Sequence, residues 1–128
     1  MVGFCEFSEA VAHVNPNFDV LVSGPTPPNP SELLGSDAMS TLLNSAKEQY
    51  DYVVIDTPPI NVVSDAVVLA PKTEGIVMVV QDRRTTHEQF KKSVASLSFA
   101  KARLLGVVLN SSDDHTAKYK YKSKRYLY

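Results

Sequence analysis

Tyr52-Val53-Val54-Ile55-Asp56-Thr57-Pro58-Pro59 is an apolar run that closes on an aspartate and breaks at two prolines. Proline fixes its own φ and has no N–H for a ladder, so the spacing predicts a strand from Tyr52 to Asp56 and a loop after it. An apolar strand that delivers a carboxylate to its own end is how many nucleotide-binding α/β proteins present a magnesium-organising group. Mg²⁺ is a hard cation that takes oxygen ligands and keeps several of its waters. Such a carboxylate normally works beside a G-x-x-x-x-G-K-[ST] loop, whose backbone N–H groups and lysine neutralise phosphates. The five glycines are Gly3, Gly24, Gly35, Gly75 and Gly106, and none is followed by lysine. The sequence therefore carries one half of a nucleotide site.

Outward from this run the chain alternates strand-like and helix-like segments. Upstream, Phe18 to Val22 is a short β-like run ended by Ser23-Gly24-Pro25, and the prolines from Pro25 to Pro30 make a rigid loop unfit for a central sheet. Ser31-Glu32-Leu33-Leu34 reads as one helical turn. A longer helix from Asp37 to about Gln49 puts Met39, Leu42, Leu43 and Ala46 on one face, as core packing requires. Downstream, a helix from about Ser64 to Leu69 stops at Pro71. A strand follows from Gly75 to Val80, then a helix capped by Thr86 and running to about Ala100, with Phe90, Val94, Leu97 and Ala100 inward. Leu104 to Asn110 forms the next strand. Strands that are apolar on both faces and joined by helices indicate an α/β fold, a parallel sheet covered on both sides.

The 128 residues, 44% apolar and 21% charged, fit one globular domain or a piece of a larger one. A formal net charge of −1 provides no global field to attract nucleic acid or an anionic membrane, and no nucleic-acid partner is expected. The lone Cys5 has no internal partner for a disulfide, in keeping with a reducing compartment, and reads as a small apolar filler. No signal peptide or membrane span is visible in the sequence. Residues 1–110 read as the folded part. Residues 111–128, with five basic and two acidic side chains and almost no aliphatic ones, read as a flexible Tyr/Lys-rich tail.

In open parallel sheets ligands sit outside the carboxyl ends of the strands, where Asp56, Gln81-Asp82-Arg83 and Asn110 all fall. Each has a plain alternative. An isolated V-V-I-D can end a strand and start a turn, an asparagine after a strand is a common turn residue, and Arg83 and Arg84 can be solvated surface charges.

Three segments together resemble one family. Gly24-Pro25-Thr26-Pro27-Pro28-Asn29-Pro30-Ser31-Glu32-Leu33-Leu34, Tyr50 to Pro59, and Leu105-Gly106-Val107-Val108-Leu109-Asn110 are similar to the bacterial tyrosine kinases (BY-kinases) of capsular and exopolysaccharide synthesis. The tail adds Tyr119, Tyr121, Tyr126 and Tyr128, which resemble the C-terminal cluster those kinases autophosphorylate. The resemblance implies a three-layer, partial deviant P-loop fold corresponding to the C-terminal part of the kinase domain. It also implies that the Walker A loop and a D-x-D strand would precede these residues. By resemblance Asp56 is the Walker B aspartate that helps organise Mg²⁺, Asn110 lies where related ATPases contact adenine, and Asp65 has a structural or switch-loop role. Gln81 departs from the basic residue more usual at that position.

The cofactors implied are ATP and Mg²⁺. The partners implied are intact kinase subunits or a homo-oligomeric ring, together with a membrane adaptor of polysaccharide export. That places the protein in the cytoplasm, peripheral to the inner face of the membrane through a partner. Phosphoryl transfer depends on positioning and electrostatics, so without the cradle this chain alone is expected to be catalytically incompetent. Two alternatives stand beside this reading: a non-catalytic regulator or phospho-acceptor that docks on an intact kinase, and a partition-type ATPase relic, which the proline loop and the tail disfavour.

Overall fold

A computed structural model describes residues 7–111. Cys5, Tyr119, Tyr121, Tyr126, Tyr128 and the expected tail after Ser111 lie outside the described residues. The elements run α1 (Phe7–Ala10), β1 (Ala12–Asn15), β2 (Phe18–Val20), α2 (Pro30–Gly35), α3 (Asp37–Gln49), α4 (Asp65–Leu69) with a 3₁₀ turn (Ala70–Lys72), β3 (Ile76–Gln81), α5 (His87–Phe99) and β4 (Leu104–Asn110). The result is a mixed α/β structure with a parallel pair of strands flanked by helices.

The helices form where capping and apolar spacing coincide. Ser36 caps α3 by accepting from the Met39 N–H at 3.3 Å, and its hydroxyl donates to the Leu33 carbonyl at 2.7 Å. Thr86 and Gln89 build a reciprocal capping box at the start of α5, with the Gln89 N–H donating to the Thr86 hydroxyl at 3.2 Å and the Thr86 N–H to Gln89 Oε1 at 2.9 Å. Met39, Leu43 and Leu69 form the buried cluster between α3 and α4, with Leu34, Leu42 and Ile55 packed against it. Gly75 allows a close approach to Leu105, where a Cβ would meet the Leu105 side chain at 2.5 Å.

β3, α5 and β4 make a β-α-β unit. Its two strands pair in parallel from Val77 opposite Gly106 to Gln81 opposite Asn110. Because side chains alternate across a strand, the pair has two different faces. Val80, Val107 and Leu109 line a hollow with Phe90 of α5, and Met78 on the same face is buried. On the other face Val77, Val79 and Val108 are 54%, 64% and 50% exposed. Among the described residues nothing covers that face.

Two findings differ from the sequence expectations. Phe18–Val20 does not join the parallel strands but pairs antiparallel with Ala12–Asn15, with an irregularity between His13 and Asn15. Tyr52–Asp56, expected as a strand, belongs to neither sheet. A strand exists only against a hydrogen-bonded neighbour, and among the described residues this run has none. Tyr52 and Val54 are accordingly 89% and 91% exposed.

The hairpin is tied to the end of α3 through one carboxylate. Asp19 takes the Tyr50 hydroxyl hydrogen at 2.6 Å and meets His13 Nδ1 at 2.8 Å, while Phe7 stands edge-on to the Tyr50 ring. The Tyr50 hydrogen bond, followed by that of His13, holds the Asp19 carboxyl below the usual carboxylate range, and the same bond pushes the Tyr50 phenol up. A lowered folded pKa gives stability that is full above the unfolded value and lost as pH falls through the folded one. A raised tyrosine gives stability that is full below its unfolded value and lost as pH rises through the folded one. The tie is therefore firm between about pH 4 and about pH 10.

Removing the hydroxyl in Tyr50→Phe should return the Asp19 carboxyl toward its ordinary value, read from the pH titration of its side-chain carbon by NMR. Thr86→Ala, which deletes half of the capping box, should lower stability by about 1 kcal/mol in urea unfolding. The two faces of β3 should also answer differently. Val79→Lys on the open face should change stability by no more than about 0.5 kcal/mol, whereas Met78→Ala should cost about 2–5 kcal/mol.

Candidate functional site

Asp56 owes its position to its neighbour. Ile55 points into the Met39, Leu43 and Leu69 cluster, so alternation along the run turns Asp56 the other way, and it is exposed. Its carboxylate makes no hydrogen bond or ion pair among the described residues. The chain then turns at Pro58-Pro59, and the Val62 and Val63 N–H groups close the turn onto the Pro59 carbonyl at 2.9 and 3.3 Å. α4 begins at Asp65, but its cap position is Ser64 and no side chain caps it, so the expected capping role of Asp65 does not appear.

The turn between Asp56 and α4 is held from two sides. Ser64 Oγ and Ser31 Oγ of α2 lie 3.1 Å apart, which links the turn to the end of the proline loop. On the other side Asn61 Nδ2 donates to Ser93 Oγ at 2.8 Å and to the Gln89 carbonyl at 3.2 Å, both on α5. Neither Asn61 nor Ser93 stood out in the sequence. The available signal was a serine at the inward spacing of α5, between Phe90 and Leu97, where an apolar residue would be expected.

The second group of candidates gathers at the ends of β3 and β4. Gln81 pairs with Asn110 in register, and the Asp82 N–H donates to the Asn110 carbonyl at 2.9 Å. The Gln81 N–H donates to the Thr85 hydroxyl at 3.1 Å. Arg84 Nη1 reaches Gln81 Oε1 at 3.4 Å, and Arg83 Nε lies 3.7 Å from the Asp82 carboxylate. Arg83 and Ser111 both adopt left-handed backbone, with φ of 59° and 57°. Residues other than glycine take that conformation at a cost, and here it turns the chain at the mouth of each strand. Asn110 Oδ1 accepts from the Ser111 N–H at 2.8 Å, so the amide nitrogen is the part of its side chain left to meet a ligand.

Chemically the arrangement offers one unpartnered carboxylate and one outward carboxamide. No group of three or more His, Cys, Asp or Glu gathers as a metal cage among the described residues. A lone carboxylate nonetheless fits Mg²⁺, which is commonly held by one or two carboxylates together with substrate phosphates and waters. The phosphate side does not fit, since no glycine of this chain opens a lysine-bearing loop. No helix among the described residues is long and apolar enough to cross a membrane.

No family model matches the chain. Individual proteins do. The CapB protein of Staphylococcus aureus is 42% identical over 106 residues, covering 82% of this chain and 46% of that protein. The tyrosine-protein kinase YwqD of Bacillus subtilis is 45% identical over 94 residues, covering 73% of this chain and 40% of that protein. Among solved structures, the VpsO kinase domain superposes with a TM-score of 0.79 at 33% identity, over 84% of this chain and 54% of that one. The kinase domain of the Escherichia coli tyrosine kinase ETK gives 0.78 at 36% identity, over 83% and 42%. The chain thus spans about half the length of the curated relatives it matches first. In both sequence and fold the chain is thus similar to part of the bacterial tyrosine-protein kinases it matches.

Proposed function

We propose that this chain is the carboxylate-bearing part of an ATP-dependent protein-tyrosine kinase of capsular and exopolysaccharide synthesis, and that its phosphate loop comes from kinase sequence these 128 residues do not contain. The observation that carries the reading is Asp56, exposed and unpartnered at the end of a run anchored by Ile55, in a chain whose fold follows BY-kinase domains. Mg·ATP, when bound, supplies the phosphoryl group. Asp56 would hold the ion through oxygen, directly or by a water. The Asn110 amide nitrogen would donate to a ring acceptor of adenine. The uncovered face at Val77, Val79 and Val108 and the unpaired run at Tyr52 and Val54 are surfaces that the remaining part of a three-layer domain would bury.

The acceptors would be Tyr119, Tyr121, Tyr126 and Tyr128, presented to a neighbouring subunit of a ring. Each phosphate adds roughly −1.5 to −2 charges, so phosphorylation of three or four of these tyrosines would reverse the three-charge positive excess of the terminal segment. That reversal would tune assembly of the ring and, through a membrane adaptor at the inner face of the cell membrane, polymer export. Alone, the chain lacks the amide cradle and lysine and would be catalytically incompetent.

Calorimetry on the purified chain with Mg·ATP should show no micromolar binding. Mixed with a Walker A-bearing fragment of YwqD, the chain should acquire Mg·ATP-dependent phosphotyrosine in residues 119–128, and Asp56→Asn should reduce the rate by roughly 10²-fold or more. Micromolar, magnesium-dependent binding by the chain alone would overturn the division of labour. No phosphorylation in the complemented mixture, together with phosphorylation of residues 119–128 by an intact kinase, would make the chain an acceptor only.

A further inference from the structure

Ser93 is the one polar side chain buried among the described residues, at 4% exposure. Its hydroxyl donates to the Gln89 carbonyl at 2.9 Å and accepts from Asn61 Nδ2 at 2.8 Å, and the same nitrogen lies 3.2 Å from that carbonyl, so the two acceptors share the Asn61 amide donor. The amide is therefore engaged by a helix that Asn61 does not belong to. A buried hydroxyl left without its partner costs about 1–3 kcal/mol, so the contact resists opening.

Four residues, Thr57-Pro58-Pro59-Ile60, separate Asp56 from this pin. Two of them have φ fixed by the pyrrolidine ring, which leaves the connection few soft torsions. The turn beyond Asn61 is closed on the Pro59 carbonyl, and its far end is tied at Ser64 to Ser31. On α5, Gln89 lends its carbonyl to Asn61 and its side chain to the Thr86 capping box, while Thr85 receives the N–H of Gln81 beside Asn110. One continuous set of hydrogen bonds thus leads from the turn after Asp56 to the ends of β3 and β4.

We propose that Asn61, seated on Ser93 and the Gln89 carbonyl, is a positioning residue that sets the direction of the Asp56 carboxylate for the reaction proposed above. The inference rests on that reading for its purpose, and on the chain's own hydrogen bonds for its geometry. Asn61 acts through the stiff Thr57–Ile60 link without touching the nucleotide.

The test is made on the 128-residue chain by NMR. Asn61→Leu keeps the side-chain size and removes the amide donor. Backbone N–H order parameters at Asp56, Thr57 and Ile60 should fall from about 0.85 to below about 0.6. Those of α3 and β4 should stay as they are. Ser93→Ala, which removes one acceptor from the other side, should move the same signals in the same direction and decides the matter if Asn61→Leu does not fold. Unchanged order at Asp56, Thr57 and Ile60 in a folded variant would overturn the proposal and leave Asn61 a local fastener of α5. In the YwqD-complemented mixture, Asn61→Leu should raise the Mg²⁺ concentration for half-maximal rate at least 10-fold while moving the KM for ATP less than 3-fold. If that mixture is inactive with the wild-type chain, the kinase reading fails while the NMR result still decides the role of Asn61.

Discussion

The seating of Ile55 in the Met39, Leu43 and Leu69 cluster is the contact on which the rest of the arrangement depends. It is the point where a run that joins neither sheet is fixed to the core. Full burial of an aliphatic side chain is worth roughly 1.5–3 kcal/mol, a substantial share of the stability of a small domain, and the half-buried Ile55 contributes part of that. The same contact orients Asp56. Alternation along the run makes an inward Ile55 and an outward Asp56 two aspects of one placement, and the turn that follows inherits its starting direction.

The exposed apolar surface has a common origin with the missing phosphate cradle. Tyr52 and Val54 stand open because their run has no hydrogen-bonded neighbour, and Val77, Val79, Val107, Val108 and Leu109 because neither face of the β3–β4 pair is fully covered among the described residues. Continuous apolar strands are the mark of a sheet buried on both sides. These residues are thus suited to a larger domain than the described residues make, as the partial coverage of the kinase relatives also indicates. Open strand edges are a liability for any chain that carries them alone.

The helices and the β-α-β unit were largely legible in the sequence. α3 begins and ends where Ser36, the apolar stripe and Gln49 said it would, β4 runs over the predicted Leu104–Asn110, and Thr86 caps α5 as its position suggested. These are local signals, and local signals survive in a partial domain. The hairpin was half legible, because Ala12–Asn15 carries two polar residues and little apolar alternation, and its pairing depends on the Asn15-Pro16-Asn17 turn. The Tyr52–Asp56 strand failed because pairing is not a property of a segment. Asp56 and Asn110 were legible as candidates from their places at strand ends. Asn61 and Ser93 were not, since each looks like an ordinary polar surface residue until the turn and the helix are brought together.

The Thr86 capping box has a consequence for the order in which this chain acquires structure. It closes a helix between two consecutive strands, so the pairing within Ile76 to Asn110 is local in sequence, while the buried Ser93 of α5 takes its Asn61 partner from upstream. Ring closure over such short separations is entropically cheap, and cooperative units commonly coincide with motifs of this kind. The Asp56 run, with no ladder of its own, belongs at the opposite end of that hierarchy. The chain thus comprises a unit whose strand pairing is local and a segment with no ladder of its own, and that segment carries the carboxylate.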